Sequence, residues 1–174
     1  MNQRTYGFLL AFFATVFAGS AALLLWYGVK SHRQATVYGQ LAAAVQRANP
    51  TPTQAGEETP LSEYRALSEE NPDMVGWIRI DGTDIDYPVV QRADELNYYL
   101  KHDFAGRYTD FGCPFAQANC DVQAPSDNVI LYGHNMKDGS MFSDLVRYQS
   151  RSFWETHRTI HFDTLTRRGE YEVL

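Results

Sequence analysis

The chain is 174 residues long, 44% hydrophobic and 21% charged, a globular composition with room for one domain and accessory segments. Its formal net charge is −6 and no basic block occurs, so nucleic acid is not an expected partner. Aromatics are plentiful, with 11 Tyr and 10 Phe, as suits a β-rich core.

Residues 6–29 form an uncharged apolar run long enough to span a bilayer as a helix. Trp26 and Tyr27 lie near one end, where interfacial aromatics sit. A cleaved signal peptide is the rival reading, with Ala18-Gly19-Ser20-Ala21 as its small-residue site. Leu23-Leu24-Leu25-Trp26 follows at once, and cleavage would leave an apolar stub, which favours an uncleaved anchor. Charge does not set its orientation, because Arg4 flanks one end and Lys30 and Arg33 the other.

Val37, Leu41, Ala44 and Val45 recur at helical spacing in residues 34–47, which predicts a weakly amphipathic helix leaving the membrane. The Pro- and Thr-containing stretch 49–56 reads as a spacer. Thr59 and Pro60 then cap and open a helix over 61–70, and Asn71-Pro72 closes it.

From Val75 the pattern changes to short strands. Trp77, Arg79 and Asp81 alternate with Ile78 and Ile80. Asp81-Gly82 signals a turn, and residues 84–90 form the return strand, with Pro88 placing it at an edge or a bulge. A helical turn is expected over 95–100, a weak strand over 112–115, and short helices over 142–148 and 152–156. Strands over 159–163 and 171–174 complete the series. Many short strands with few helices predict a mixed β-barrel. There is no Gly-rich phosphate loop and no metal-ligand pair at helical spacing, so no cofactor or metal is expected.

The stretch that organises the rest is Asn128 to Phe142. Val129, Ile130 and Leu131 predict a strand buried on both faces. Gly133 lets the backbone turn where a side chain would collide. His134 falls at the strand end, on the rim of the sheet. Imidazole titrates near neutral pH, so a rim histidine can exchange protons with a substrate or nucleophile. The alternative is a turn histidine that only bonds a neighbouring loop.

Four ordered segments carry a family resemblance. Tyr132-Gly133-His134-Asn135-Met136 with Asp138-Gly139-Ser140-Met141-Phe142 resembles the histidine segment of class B sortases, the cysteine transpeptidases of Gram-positive cell surfaces. Asn71-Pro72-Asp73-Met74-Val75-Gly76-Trp77-Ile78 resembles the family's first strand. Ile85-Asp86-Tyr87-Pro88-Val89-Val90-Gln91 resembles its second, and Asn97-Tyr98-Tyr99-Leu100-Lys101-His102-Asp103-Phe104 the helical segment after it. The resemblance covers about residues 59–174.

It implies a mainly β, sortase-type mixed β-barrel with short helices, incomplete at its C-terminal end and preceded by an N-terminal transmembrane helix. The implied organisation is a signal anchor with flanks at 1–33, a juxtamembrane helix and spacer at 34–58, and a partial catalytic domain at 59–174. The implied topology is single-pass, N-terminus inside and catalytic domain outside, with residues 6–29 in the membrane.

A sortase cleaves a C-terminal sorting signal of secreted surface or pilin proteins and joins it to an amine, either of peptidoglycan or of a pilin lysine. Class B members take an Asn-Pro-x-Thr-Asn-like signal. The chemistry needs a thiolate to attack the carbonyl, a histidine to move protons at the amines, and an arginine to steady the oxyanion or peptide. His134 matches the family's histidine. Asn97 and Leu100 match positions that line the peptide groove, and Tyr132 lies beside the histidine. Core packing is the alternative for Leu100 and Tyr132. His102, His157 and His161 read as structural or solvated, and Arg147, Arg151, Arg158, Arg167 and Arg168 as solvated charges.

The family's cysteine and arginine lie beyond the histidine, and no residue up to Leu174 matches them. A C-terminally truncated chain, neither stably folded nor active alone, is therefore the expectation. Cys113 and Cys120 precede His134; they are either a disulfide or two free thiols, one of them buried. The competing functions are a non-catalytic, membrane-anchored peptide-binding protein, or an inactive gene fragment, and a hydrolase using His134 with Cys113 or Cys120.

Overall fold

The computed structural model describes residues 3–48, 61–124 and 128–174. The chain divides into two compact units, Met1–Val37 and Tyr38–Leu174. The expected spacer at 49–56 and the cap at Thr59 and Pro60 lie outside the described residues.

Helix α1 runs from Gln3 to Arg47 without a break. Within the first unit Phe8, Phe13, Phe17, Leu24 and Leu25 are all exposed. The helix satisfies its own backbone, and its apolar side chains face outward, as suits a lipid solvent. It is long and apolar enough to cross a membrane.

The second unit takes in the last turns of α1. Tyr38 is buried there, and Leu41, Ala42 and Val45 pack against the same core. The segment expected to leave the membrane is therefore helical, and from Tyr38 onward it groups with the sheet.

Helix α2, Arg65–Glu70, is shorter than expected because Ser62 to Tyr64 enter it as turns. Leu61, Tyr64 and Leu67 recur every third residue and bury one face. Asn71 is extended at φ −129, as a residue before proline must be.

Six strands form one sheet: β1 (Met74–Arg79), β2 (Asp86–Val90), β3 (Phe115–Ala116), β4 (Leu131–Tyr132), β5 (Thr159–Thr164) and β6 (Glu170–Glu172). Their order is β4-β3-β2-β1-β5-β6. All pairings are antiparallel except β2 with β3, which meet in parallel at Val90 and Phe115. The core between sheet and helices holds Met74, Ile80, Ile85, Val89, Val90, Phe104 and Phe111. A curled sheet with short helices is the β-led fold that the strand pattern predicts. Helix α3 (Arg151–Thr156) and the 3-10 segments Tyr98–Leu100 and Ser143–Gln149 fall where short helices were expected.

Several local expectations are corrected. Val129 and Ile130 precede β4 rather than lying in it, and Ile130 and Tyr132 are exposed. The cause is placement: β4 ends the strand order and pairs with β3 alone among the described residues. Trp77 and Ile78 are both buried instead of alternating, because Tyr64 stacks on Trp77 with ring centroids 6.0 Å apart. Pro88 sits in an interior strand, yet β3 meets β2 only at Val90, so one flank of Pro88 carries no ladder. The short helix expected over 142–148 is a 3-10 segment, and Leu145 and Val146 on it are exposed. Arg168 is half-exposed, as a solvated charge would be, and also pairs with buried Glu63.

Candidate active site

The loop after β4 returns on itself and fixes the backbone of His134. Gly133 lies under the Phe142 ring, where a Cβ would stand 2.5 Å from the nearest ring carbon. The Phe142 N–H donates to the His134 carbonyl at 2.8 Å, and Asn135 bridges Met141. Between them Asp138 accepts from the N–H and the hydroxyl of Ser140, and Gly139 turns at φ +89. Met141 is itself left-handed at φ +58, uncommon for a side-chain-bearing residue. Its burial at 1% exposure and its N–H donated to the Tyr87 hydroxyl at 3.1 Å hold it there. Each residue of the Asp138-Gly139-Ser140-Met141-Phe142 run thus has a local role in closing one loop.

The imidazole is fixed by a different element. Leu100 ends the 3-10 turn Tyr98–Leu100, and its carbonyl oxygen lies 2.8 Å from His134 Nε2. A carbonyl only accepts, so Nε2 carries the hydrogen. In the neutral ring Nδ1 is then the basic nitrogen, free to take a proton.

Leu100 also lines a groove of about 600 Å³ together with Leu96, Asn97, Phe115, Gln117, Ala118, Asn119 and Tyr132. The structure thus brings Asn97, Leu100 and Tyr132 into one groove and ties His134 to its wall. Tyr132 is exposed, whereas Leu100 is half-buried and also packs against the core. None of the lining residues is charged. Three amides and a phenol offer both donors and acceptors, and Leu96, Leu100 and Phe115 offer apolar surface. Such a groove suits a neutral, extended peptide.

Phe115, Gln117, Ala118 and Asn119 were not anticipated. They reach the groove because β3 pairs with β4: Phe115 lies opposite Tyr132 in register, and their rings stack at 5.2 Å. A two-residue strand leaves no periodic signal, so only the pairing reveals them.

The two cysteines are free and separately engaged. Cys113 is 2% exposed, its thiol directed at the Pro88 carbonyl at 3.7 Å, and burial pushes that thiol far above its ordinary value. The Cys120 thiol donates to the Gln117 carbonyl at 3.0 Å. Neither is bonded to His134 among the described residues. His102 stacks on Tyr98 at 3.9 Å and His157 on Phe153 at 3.9 Å, as structural histidines do. A second cavity, of about 430 Å³, holds Glu63, Asp163 and Arg168, which bond one another and their neighbours. Among the described residues no cluster of three His, Cys, Asp or Glu side chains could hold a metal ion.

No protein-family model matches the chain. It is 40% identical to sortase B of Listeria monocytogenes over 111 residues, 64% of this chain and 45% of that protein. It is 35% identical to sortase B of Staphylococcus aureus over 111 residues, 64% of this chain and 44% of that protein. Among solved structures, sortase B of Bacillus anthracis in complex with AAEK1 matches with a TM-score of 0.76 at 31% identity, over 83% of this chain and 67% of that one. The chain therefore belongs to the class B sortase family. It spans under half the length of the two curated relatives.

Proposed function

We propose that these residues form the histidine-bearing and peptide-gripping part of a membrane-anchored, class B sortase-type transpeptidase. Residues 6–29 cross the membrane with the N-terminus inside, and the sheet unit works outside the cell. The peptide is the C-terminal sorting signal of a secreted surface or pilin protein, and the acceptor is a peptidoglycan amine or a pilin lysine. Asn97, Leu100 and Tyr132 hold the signal in the groove. His134 protonates the leaving amine and deprotonates the entering one.

The observation that carries this reading is the 2.8 Å bond from His134 Nε2 to the Leu100 carbonyl, because Leu100 also lines the groove. The bond turns Nε2 to the groove wall and leaves Nδ1 as the ring's proton acceptor. A Staphylococcus aureus sortase B–substrate complex, matched at a TM-score of 0.73 and 29% identity over 84% of this chain and 65% of that one, supports the assignment of a substrate to this fold.

Neither cysteine of these residues is placed to serve as the nucleophile. Cys113 is sealed in the core, and Cys120 is bonded to the Gln117 carbonyl. The placement of the cysteines also favours a second reading, a membrane-anchored protein that binds peptide without chemistry.

An NMR titration of the chain with an Asn-Pro-x-Thr-Asn peptide tests the groove. Shifts centred on Asn97, Leu100, Tyr132 and His134 are expected; shifts confined to other residues would sink the assignment. Activity separates the two readings. In a chain whose reading frame continues to a thiol, His134→Ala should lower transfer roughly 100-fold or more. A frame that encodes no such thiol leaves only the binding protein.

A further inference from the structure

The carbonyl that holds the imidazole is itself held. Gly112 is left-handed at φ +64 and lies against the 3-10 turn, where a Cβ would stand 2.4 Å from the Tyr99 carbonyl oxygen and 3.0 Å from that of Leu100. The adjoining Cys113 N–H donates to the Tyr99 carbonyl at 2.9 Å. The carbonyl of Gly112 accepts a hydrogen bond from the buried Tyr38 hydroxyl at 2.7 Å. Tyr38 thus bears on the segment that backs the Leu100 carbonyl.

The same ring meets the other support of His134. Tyr38 packs edge-on against Tyr87, with ring centroids 5.2 Å apart. The Tyr87 hydroxyl accepts the Met141 N–H, and Met141 bridges Asn135, the residue after His134. One aromatic side chain of α1 therefore stands behind both the imidazole's acceptor and the loop that fixes its backbone.

We propose that Tyr38 is a positioning residue for His134, acting through Gly112 and the Leu100 carbonyl on the ring and through Tyr87 and Met141 on the backbone. The physical reason is the narrow tolerance of such sites. Removing the hydroxyl orphans a buried carbonyl, and the Gly112 segment shifts to find another donor. A displacement well under an ångström at Leu100 is enough to loosen a bond on which the ring's tautomer depends. The importance of this effect rests on His134 being the proton-handling group, but its measurement does not.

The test is the His134 tautomer ratio, read from nitrogen-15 imidazole shifts of the full chain in detergent micelles. Tyr38→Phe keeps the ring and removes the hydroxyl. The Nε2–H to Nδ1–H ratio of His134 should fall roughly fivefold, the change that one hydrogen bond of ordinary net strength supports. Tyr148→Phe is the control, because it removes a comparable bond, from the Tyr148 hydroxyl to the His157 carbonyl at 2.6 Å, elsewhere in the unit. It should leave the ratio unchanged. An unchanged ratio in Tyr38→Phe, or an equal fall in both variants, overturns the proposal. If Tyr38→Phe does not fold, Tyr87→Phe removes the acceptor of the Met141 N–H on the second arm, and an unchanged ratio there overturns the proposal as stated. A shifted ratio alongside absent transfer activity in a thiol-bearing chain would leave the coupling standing and remove the function.

Discussion

The Tyr132 hydroxyl donates to the Gln117 side-chain oxygen at 3.2 Å, and Gln117 in turn donates to the Asn119 side-chain oxygen at 2.5 Å. The first bond joins β4 to the residue just after β3, across the groove floor. It holds the phenol in one orientation above the stacked Phe115 ring. Gln117→Leu keeps the bulk and removes the acceptor. Peptide affinity should fall by about threefold to tenfold, the range one neutral hydrogen bond supports. In a thiol-bearing chain KM should rise with kcat unchanged, since the bond acts on peptide binding alone. A lowered kcat at constant KM would show that Gln117 acts on the chemistry instead.

Gly133→Ala tests the loop that fixes the histidine. The added methyl would overlap the Phe142 ring, whose nearest carbon stands 2.5 Å from the Cβ position. Phe142 is buried and cannot swing clear without opening a void. Overpacking of this kind costs about 1–3 kcal/mol. Chemical denaturation should show a lower midpoint with an unchanged slope. An unchanged midpoint would mean that Phe142 has room to move.

Much of this was legible from residue order. Asp81-Gly82 between two apolar runs identifies the β1–β2 hairpin, and Asn71-Pro72 sets the end of α2. The Gly133-His134 step after an apolar run locates the site at a strand end. Long-range pairing was not legible. The apolar run at Val129 to Leu131 looks like a central strand because apolar content does not report how many neighbours a strand has. It lies at the end of the order, and Ile130 is exposed. Half of the groove lining, from Phe115 to Asn119, depends on a two-residue strand with no period to read. The bond from His134 to Leu100 crosses 34 residues and involves a backbone carbonyl, which no side-chain pattern encodes.

Stability should decline at high pH through buried tyrosines. Burial pushes the Tyr87 phenol up to about 12, above its ordinary value near 10. Burial also raises Tyr64, helped by the bond it donates to Asp163 at 2.7 Å, and raises Tyr99. Between pH 10 and 12 the unfolded chain releases these protons and the folded chain keeps them, so stability falls as pH rises. The full contribution is present below pH 10 and, for Tyr87, is lost once pH passes about 12. For Tyr87 alone the loss is about 2–3 kcal/mol. Tyr87→Phe should flatten the alkaline limb of the denaturation profile. An unaltered limb would assign the loss to other groups.

The Glu63–Arg168 pair joins the turn before α2 to the β5–β6 connection. The Glu63 side chain is 3% exposed, whereas that of Arg168 is 53% exposed. The cost of breaking the pair is therefore asymmetric. Arg168→Ala strands a buried carboxylate whose remaining side-chain partner among the described residues is the Ser62 hydroxyl at 3.3 Å. Full burial of an unpaired charge costs about 3–5 kcal/mol, but the guanidinium is half in water, which lowers the expected loss to about 1–3 kcal/mol. Glu63→Gln in the Arg168→Ala background should recover part of that loss, because a neutral amide no longer needs the cation. The check is a double-mutant cycle on denaturation midpoints. Recovery in the double variant would assign the loss to the stranded charge. Equal losses in the single and double variants would mean that Arg168 contributes by packing its stem over the Asp163 end of β5 rather than by its charge.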